Sequence, residues 1–255
     1  MKLRDIDFGS VWDASGVRNF HGRGWWYHPL LWLFGLRFGG STFVAKTTPT
    51  FPKAGNMPLQ SDGRSPVELS PKCVYVDWRK GVALNAVGLS SPGVRFILRQ
   101  GWWQKRKKPF FISWMPVGAT FDERMHEART FVFEMLAHAR EFRAPYGLQL
   151  NLSCPNVGRV NSGEFVHEAY VLLNILSELK APIVVKLSVT TDVPTARKIA
   201  EHANCDAVSV SNTIPFGALP DRIDWTGLFG SVTFSPLESR LGTPGQNKGG
   251  LSGAP

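Results

Sequence analysis

Cysteine is scarce in this chain. Cys73, Cys154 and Cys205 are the three in 255 residues, far apart, with no C-x-x-C pair and no histidine at metal-ligand spacing. That excludes a zinc site or an iron–sulfur cluster built from this sequence alone, and no metal site is expected. An odd, sparse count suits a reducing compartment, so a cytoplasmic location is expected. Cys73 and Cys205 read as small buried hydrophobes. Long apolar runs are lacking too. The nearest approach, "WWYHPLLWLFGLRF" at residues 25–38, contains His28, Pro29 and Arg37 and has neither a basic start nor a small-residue cleavage site. It falls short of the ~20 residues a spanning helix needs, so no integral membrane segment is expected. Its Trp and Leu content would suit a membrane-surface helix, but a helix covering the body of the fold is the expectation. No internal repeat at solenoid period is present.

Acidic residues are outnumbered. Lys and Arg number 29 against 20 Asp and Glu, a formal charge of +9, which favours an anionic partner. The sharpest concentration is "QKRKKPF", with Lys105, Arg106, Lys107 and Lys108 just after Trp102 and Trp103. No nucleic-acid-binding module surrounds it, so it reads as a solvated loop before a strand and no nucleic-acid partner is expected.

What is present is the composition of a globular enzyme, 43% hydrophobic and 19% charged. The length matches one α/β barrel of about 250 residues, and a single domain over residues 1–255 is expected. From about residue 42 strand-like and helix-like patterns alternate. The candidate strands are "TFVAKT", "VALNAVG", "PFFISWMPVG", "YGLQLNLS", "PIVVKLS" and "DAVSVSNT", each apolar or β-branched and closed by polar residues. Between them lie helical periodicities. Met125, Ala128, Phe131, Met135 and Phe142 share one face, Phe165, Ala169, Leu172, Leu176 and Leu179 another, and Asp192 with Pro194 opens a third helix. The turn-rich "FGSVWDASGV" suggests a hairpin at the base or mouth, and the Gly-, Pro- and Ser-rich residues 215–255 suggest a long functional loop.

Such alternation argues for parallel βαβ units, and the polar residues sit at the strands' C-terminal ends. Lys46, Asn85, Asn151, Lys186 and Asn212 with Thr213 would then meet on one face of a (β/α)8 (TIM) barrel, where active sites of that fold lie. The densest stretch is "LQLNLSCPNVG", in which Asn151, Ser153, Cys154 and Asn156 offer donors, acceptors and a candidate base within six residues. Amide side chains can both donate and accept hydrogen bonds, and cysteine can act as a base where its thiolate is accessible near neutral pH.

"NLSCPN", "TFVAKTT" with "AGNMP", "NAVGL", "VVKLS", "SNT" and "GGLSG", in that family's order along the chain, resemble the motifs of the dihydroorotate dehydrogenases. The resemblance implies a TIM barrel that binds FMN and oxidises dihydroorotate to orotate in pyrimidine biosynthesis. Its pattern continues past "GGLSG" with two further βα units, so about six of eight are expected here, in a chain that is C-terminally incomplete. By resemblance, Cys154 would take the C5 proton while C6 gives hydride to the flavin. Lys46, Asn85, Asn151, Asn156, Asn212 and Thr213 would surround the substrate, and Lys46 would join Cys154 in the catalytic set. Ala14, Ser15, Gly16, Gly88 and Gly250 would lie near FMN, as would Lys46 and Asn151, with Lys186 at the flavin's pyrimidine edge. Cysteine at 154 resembles the soluble class, whose members are homodimers passing electrons to fumarate, or pair with an electron-transfer subunit carrying FAD and an iron–sulfur cluster to reach NAD. The related dihydropyrimidine dehydrogenases share "NLSCP" but tend to follow it with His, so Asn156 favours orotate. A non-catalytic member that binds a partner or an acidic surface through its basic, Trp-rich face is the alternative.

Overall fold

A computed structural model describes residues 1–35, 37–152, 162–210 and 212–253. The strands are β1 Lys2–Leu3, β2 Ile6–Asp7, β3 Val74–Asp77, β4 Val82–Asn85, β5 Phe110–Trp114, β6 Tyr146–Asn151, β7 Ile183–Leu187, β8 Ala207–Val210, β9 Ile214–Pro215 and β10 Gly250–Gly253. The helices are α1 His28–Trp32, α2 Val94–Arg99, α3 Phe121–Ala137, α4 Ser162–Ser177, α5 Val193–Ala200, α6 Trp225–Phe229 and α7 Pro236–Leu241. Strands β5-β6-β7-β8 form a parallel sheet. Residues 43–48 extend it beside β5, through parallel bridges Val44 to Phe111 and Thr48 to Trp114. This is part of a (β/α) barrel, with α3, α4 and α5 as the crossover helices.

Local chemistry fixes these helices. Thr120 caps α3 by accepting from the Glu123 N–H while the Glu123 carboxylate accepts from the Thr120 N–H, two donors satisfied at once. Asp192 caps α5 by accepting from the Thr195 N–H at 2.8 Å. Met125, Ala128, Phe131 and Met135 of α3 and Ala169, Leu172 and Leu176 of α4 are buried in one cluster with Ile112, Leu148, Leu150, Ile183 and Val185 of the sheet. Phe142, expected on the α3 face, lies beyond that helix and packs on Tyr146, with ring centroids 4.7 Å apart. A smaller cluster of Leu3, Phe8, Val44, Phe111 and Val184 closes the other end of the strands, where Phe8 stacks on Phe111 at 4.3 Å. The hairpin β1–β2 is therefore a plug at the base, and it lies just before the turn-rich stretch that suggested it.

Three expectations are corrected. "VALNAVG" is not a parallel barrel strand: β4 lies in an antiparallel sheet of order β3-β4-β10-β9. The reason is local, since Asp77 accepts from the N–H groups of Arg79 and Lys80 and Gly81 takes φ +66°. That turn reverses the chain after "VYVD", a strand the sequence reading passed over. Residues 215–255 are not a long loop either. They hold α6, capped by Asp224, and α7, capped by a Ser235–Glu238 box. Trp225 and Leu237 of these helices pack with Val82, Leu84 and Leu251 in a core of their own under the antiparallel sheet. Finally, residues 25–38 do not cover the body: α1 has five residues, and Leu30, Leu31, Trp32, Leu33 and Phe34 are all exposed. "QKRKKPF" is the solvated connection between α2 and β5, with Lys105, Lys107 and Lys108 exposed.

Candidate functional site

The parallel strands end at a cavity of about 840 Å³, within the range that small-molecule sites occupy. The antiparallel sheet forms its opposite wall. Ala14, Ser15, Gly16, Lys46, Asn85, Gly88, Asn151, Lys186, Asn212, Thr213 and Gly250 all line it. Cys154 and Asn156 lie outside the described residues.

Each of those side chains arrives by a different route. Lys46 is carried by residues 43–48, Asn151 by the end of β6 and Lys186 by β7, and the last two are paired in register across those strands. Asn85 comes instead from β4, where it pairs in register with both Val74 and Gly250. A Cβ at Gly250 would sit 2.1 Å from Oγ1 and 2.7 Å from Cβ of Thr213, so glycine there leaves Thr213 its place on the cavity wall.

Sequence reading missed Met57, Met115, Asn247 and the wall of Trp25, Trp26 and Tyr27. It also missed Ser113. Ser15 Oγ donates to the Ala45 carbonyl at 2.8 Å and lies 2.9 Å from Thr47 Oγ1, which lies 2.8 Å from Ser113 Oγ. With Ser15's one proton committed to Ala45, Thr47 donates to Ser15 and Ser113 donates to Thr47. Thr47 also accepts from Asn151 Nδ2 at 3.3 Å, so this hydroxyl chain joins the loop at residue 15 to three parallel strands. A serine in the middle of a buried strand was the available signal. Asn247 had one too: it follows a Pro-Gly turn, takes φ +53° and accepts from Asn56 Nδ2 at 3.0 Å.

Both lysines are buried, which favours their neutral forms. Lys46 Nζ donates to the Ser90 carbonyl at 2.6 Å and lies 4.8 Å from the Phe20 ring centre. Burial lowers its pKa from 10.5 to about 7, with a smaller opposing effect from Cys73. Burial also lowers the pKa of Lys186. Because the folded-state value of Lys46 is depressed, its burial costs stability below about pH 7, and the cost fades as pH rises toward 10.5. Lys46→Met is therefore expected to stabilise the ligand-free chain on the order of 1–3 kcal/mol at pH 7 and below. The difference should shrink toward pH 10.5, as read by urea unfolding across that range.

Residues 38–255 match the family model for dihydroorotate dehydrogenase. The chain belongs to the dihydroorotate dehydrogenase family. Among its relatives is the protein from Staphylococcus carnosus (strain TM300) named dihydroorotate dehydrogenase B (NAD(+)), catalytic subunit. It is 33% identical over 137 residues, covering 51% of this chain and 41% of the relative. The protein of the same name from Endomicrobium trichonymphae is 27% identical over 223 residues, covering 86% and 58%. Dihydroorotate dehydrogenase A (fumarate) from Lactobacillus delbrueckii subsp. bulgaricus (strain ATCC BAA-365 / Lb-18) is 30% identical over 177 residues, covering 67% and 50%. The chain thus matches about two fifths to three fifths of the length of these dihydroorotate dehydrogenases.

The cavity fits a flavin by its donor set. Lys186 brings a buried amine to the cavity wall, and Ser15, Asn85, Asn151, Asn212 and Thr213 add hydrogen-bonding groups around the same space. Among the described residues, no group of three or more His, Cys, Asp or Glu side chains could hold a metal ion.

Proposed function

We propose that this chain supplies the catalytic barrel of an FMN-dependent dihydroorotate dehydrogenase that oxidises dihydroorotate to orotate in pyrimidine biosynthesis. One observation carries the reading: Lys46, Asn85, Asn151, Lys186, Asn212 and Thr213, distant in sequence, converge on one ligand-sized cavity. When bound, FMN supplies the hydride acceptor that no side chain can provide. Lys186, Gly16, Gly88 and Gly250, with Ala14 and Ser15, would hold it. An ammonium beside its pyrimidine edge favours the anionic reduced form by direct charge attraction.

The side chains of Asn85, Asn151, Asn156 and Asn212, with Thr213, orient the substrate's ring through paired donors and acceptors. Lys46 meets the substrate's negative charge. An anion beside its buried amine favours the ammonium form, so binding above about pH 7 takes up a proton. Cys154 removes the C5 proton as C6 loses hydride, the pair of losses that leaves the ring double bond of orotate. The names of the B-type relatives support NAD as the final acceptor, reached through a separate electron-transfer subunit.

The test is direct. The purified chain is loaded with FMN, unbound flavin is removed, and dihydroorotate is added without oxygen. The band of the bound flavin is expected to bleach, with orotate formed in equal amount. Bound flavin that dihydroorotate leaves oxidised overturns the reading.

A further inference from the structure

Asn56 is half-buried and lies behind the cavity wall, outside the residues that line it. Its backbone runs very close to the loop that follows β4. A Cβ at Gly55 would meet the Val87 carbonyl at 2.6 Å and the Gly88 carbonyl at 2.8 Å, so glycine lets the two loops touch. Across that contact the Asn56 N–H donates to the Val87 carbonyl at 2.9 Å, and the Met57 N–H donates to Ser90 Oγ at 3.0 Å. The Ser90 carbonyl in turn holds Lys46 Nζ. Residues 55–57 therefore grip the loop of residues 86–90 along its length.

The Asn56 side chain reaches further. Its Nδ2 carries two hydrogens, and both are spent, one on the Ala86 carbonyl at 2.7 Å and the other on Asn247 Oδ1 at 3.0 Å. Ala86 directly follows Asn85 at the end of β4, and Asn247 lies just before Gly250 at the start of β10. Asn85 and Gly250 are the terminal pair of the β4–β10 ladder, and both line the cavity. The amide is thus an added rung just past the last backbone pair, where the two strands part. Asn247 is itself fixed: it takes φ +53°, a conformation asparagine tolerates, and its Nδ2 donates to Thr243 Oγ1 at 3.3 Å beyond α7.

We propose that Asn56 is a positioning residue for the reaction, acting through Asn85: its amide clasps the wall that carries the substrate-binding Asn85 to the wall that carries Gly250 on the cofactor side. This rests on the function proposed above. Without the clasp the Ala86 carbonyl loses this donor, and the loop of residues 247–249 loses its tie to the opposite wall. The ladder then frays from the end that carries the site. Contacts made through Asn85 serve the bound substrate and the transition state alike, so affinity falls more than the rate of the chemical step.

The experiment is single-turnover reduction of the FMN-loaded chain over a range of dihydroorotate concentrations without oxygen, which reads only flavin-bound protein and separates affinity from rate. Asn56→Leu is expected to raise the dihydroorotate dissociation constant at least about tenfold, the worth of one or two ordinary hydrogen bonds, with flavin retained and the limiting rate within about threefold of the parent. Asn247→Ala removes the acceptor and leaves the backbone bonds of residues 56 and 57 in place. It is expected to raise the constant about threefold alone and to add little in the Asn56→Leu chain, because the two residues act as one unit. Parent affinity in Asn56→Leu, fully additive effects, or loss of flavin from a folded Asn56→Leu chain overturns the proposal. Should Asn56→Leu not fold, Asn247→Ala decides, and parent affinity there overturns it as well. Hydrogen exchange judges the clasp with no ligand present: amides of residues 86–88 and 248–251 are expected to exchange at least about tenfold faster in Asn56→Leu. Unchanged exchange at either segment overturns the proposal, whereas faster exchange at both, beside a parent flavin that dihydroorotate leaves oxidised, supports the clasp and overturns only the reading of function.

Discussion

Replacing Cys154 with serine is expected to slow flavin reduction by dihydroorotate at least about a hundredfold at pH 7 while the flavin stays bound. A positioned base contributes on the order of 10²–10⁴ to such a step, and a serine hydroxyl gives up its proton far less readily than a thiol does. The loss should therefore fall on the chemical step and leave ligand affinity nearly alone. Single-turnover reduction, followed by loss of the flavin band, separates the two. Raising the pH is expected to restore part of the serine variant's rate and to change the parent's rate less above its own thiol pKa. Unchanged reduction by the serine variant would remove Cys154 as the base; loss of flavin along with activity would make the residue a binding element.

The parallel half of the fold was legible because its signals are local. "PFFISW", "YGLQLN" and "PIVVKL" are continuous apolar runs that become β5, β6 and β7 buried on both faces, and Asp192 marks a helix start by chemistry that needs no tertiary context. The antiparallel sheet was not legible for the opposite reason. Val82–Asn85 is as apolar as a barrel strand, and only the turn through Asp77 and Gly81, together with a partner 165 positions later in sequence order, Gly250 against Asn85, decides its direction. The same applies to the site. Lysine, asparagine and cysteine at strand ends were visible as chemistry in the wrong place for a core, whereas the hydroxyl chain from Ser113 through Thr47 to Ser15 depends on where the loop at residue 15 folds back. Residues 25–38 misled because an apolar run ordinarily predicts burial, and the rule runs only one way.

Glu168→Leu is expected to destabilise the chain by about 3–5 kcal/mol. Glu168 on α4 takes both arms of Arg124 on α3, Nε to Oε1 and Nη2 to Oε2, each at 2.8 Å, and both side chains are buried. Hydrogen bonding to Glu168 is the main reason that the Arg124 pKa is raised. Removing the carboxylate leaves a guanidinium that cannot shed its charge, with hydrogen bonds to the Gly118 and Ala119 carbonyls at 3.0 Å in place of the paired carboxylate. Those carbonyls belong to the connection from β5 into α3, which begins at Met115 on the cavity wall. A protein that cannot satisfy Arg124 should therefore loosen that connection first, and ligand affinity should fall along with stability. The double change Arg124→Leu with Glu168→Leu separates charge from packing: with no charge left to strand, it is expected to recover more than half of the lost stability in denaturant unfolding. If the double variant is as unstable as Glu168→Leu alone, the cost lies in the packing of α3 on α4, and the ion pair is not what joins them.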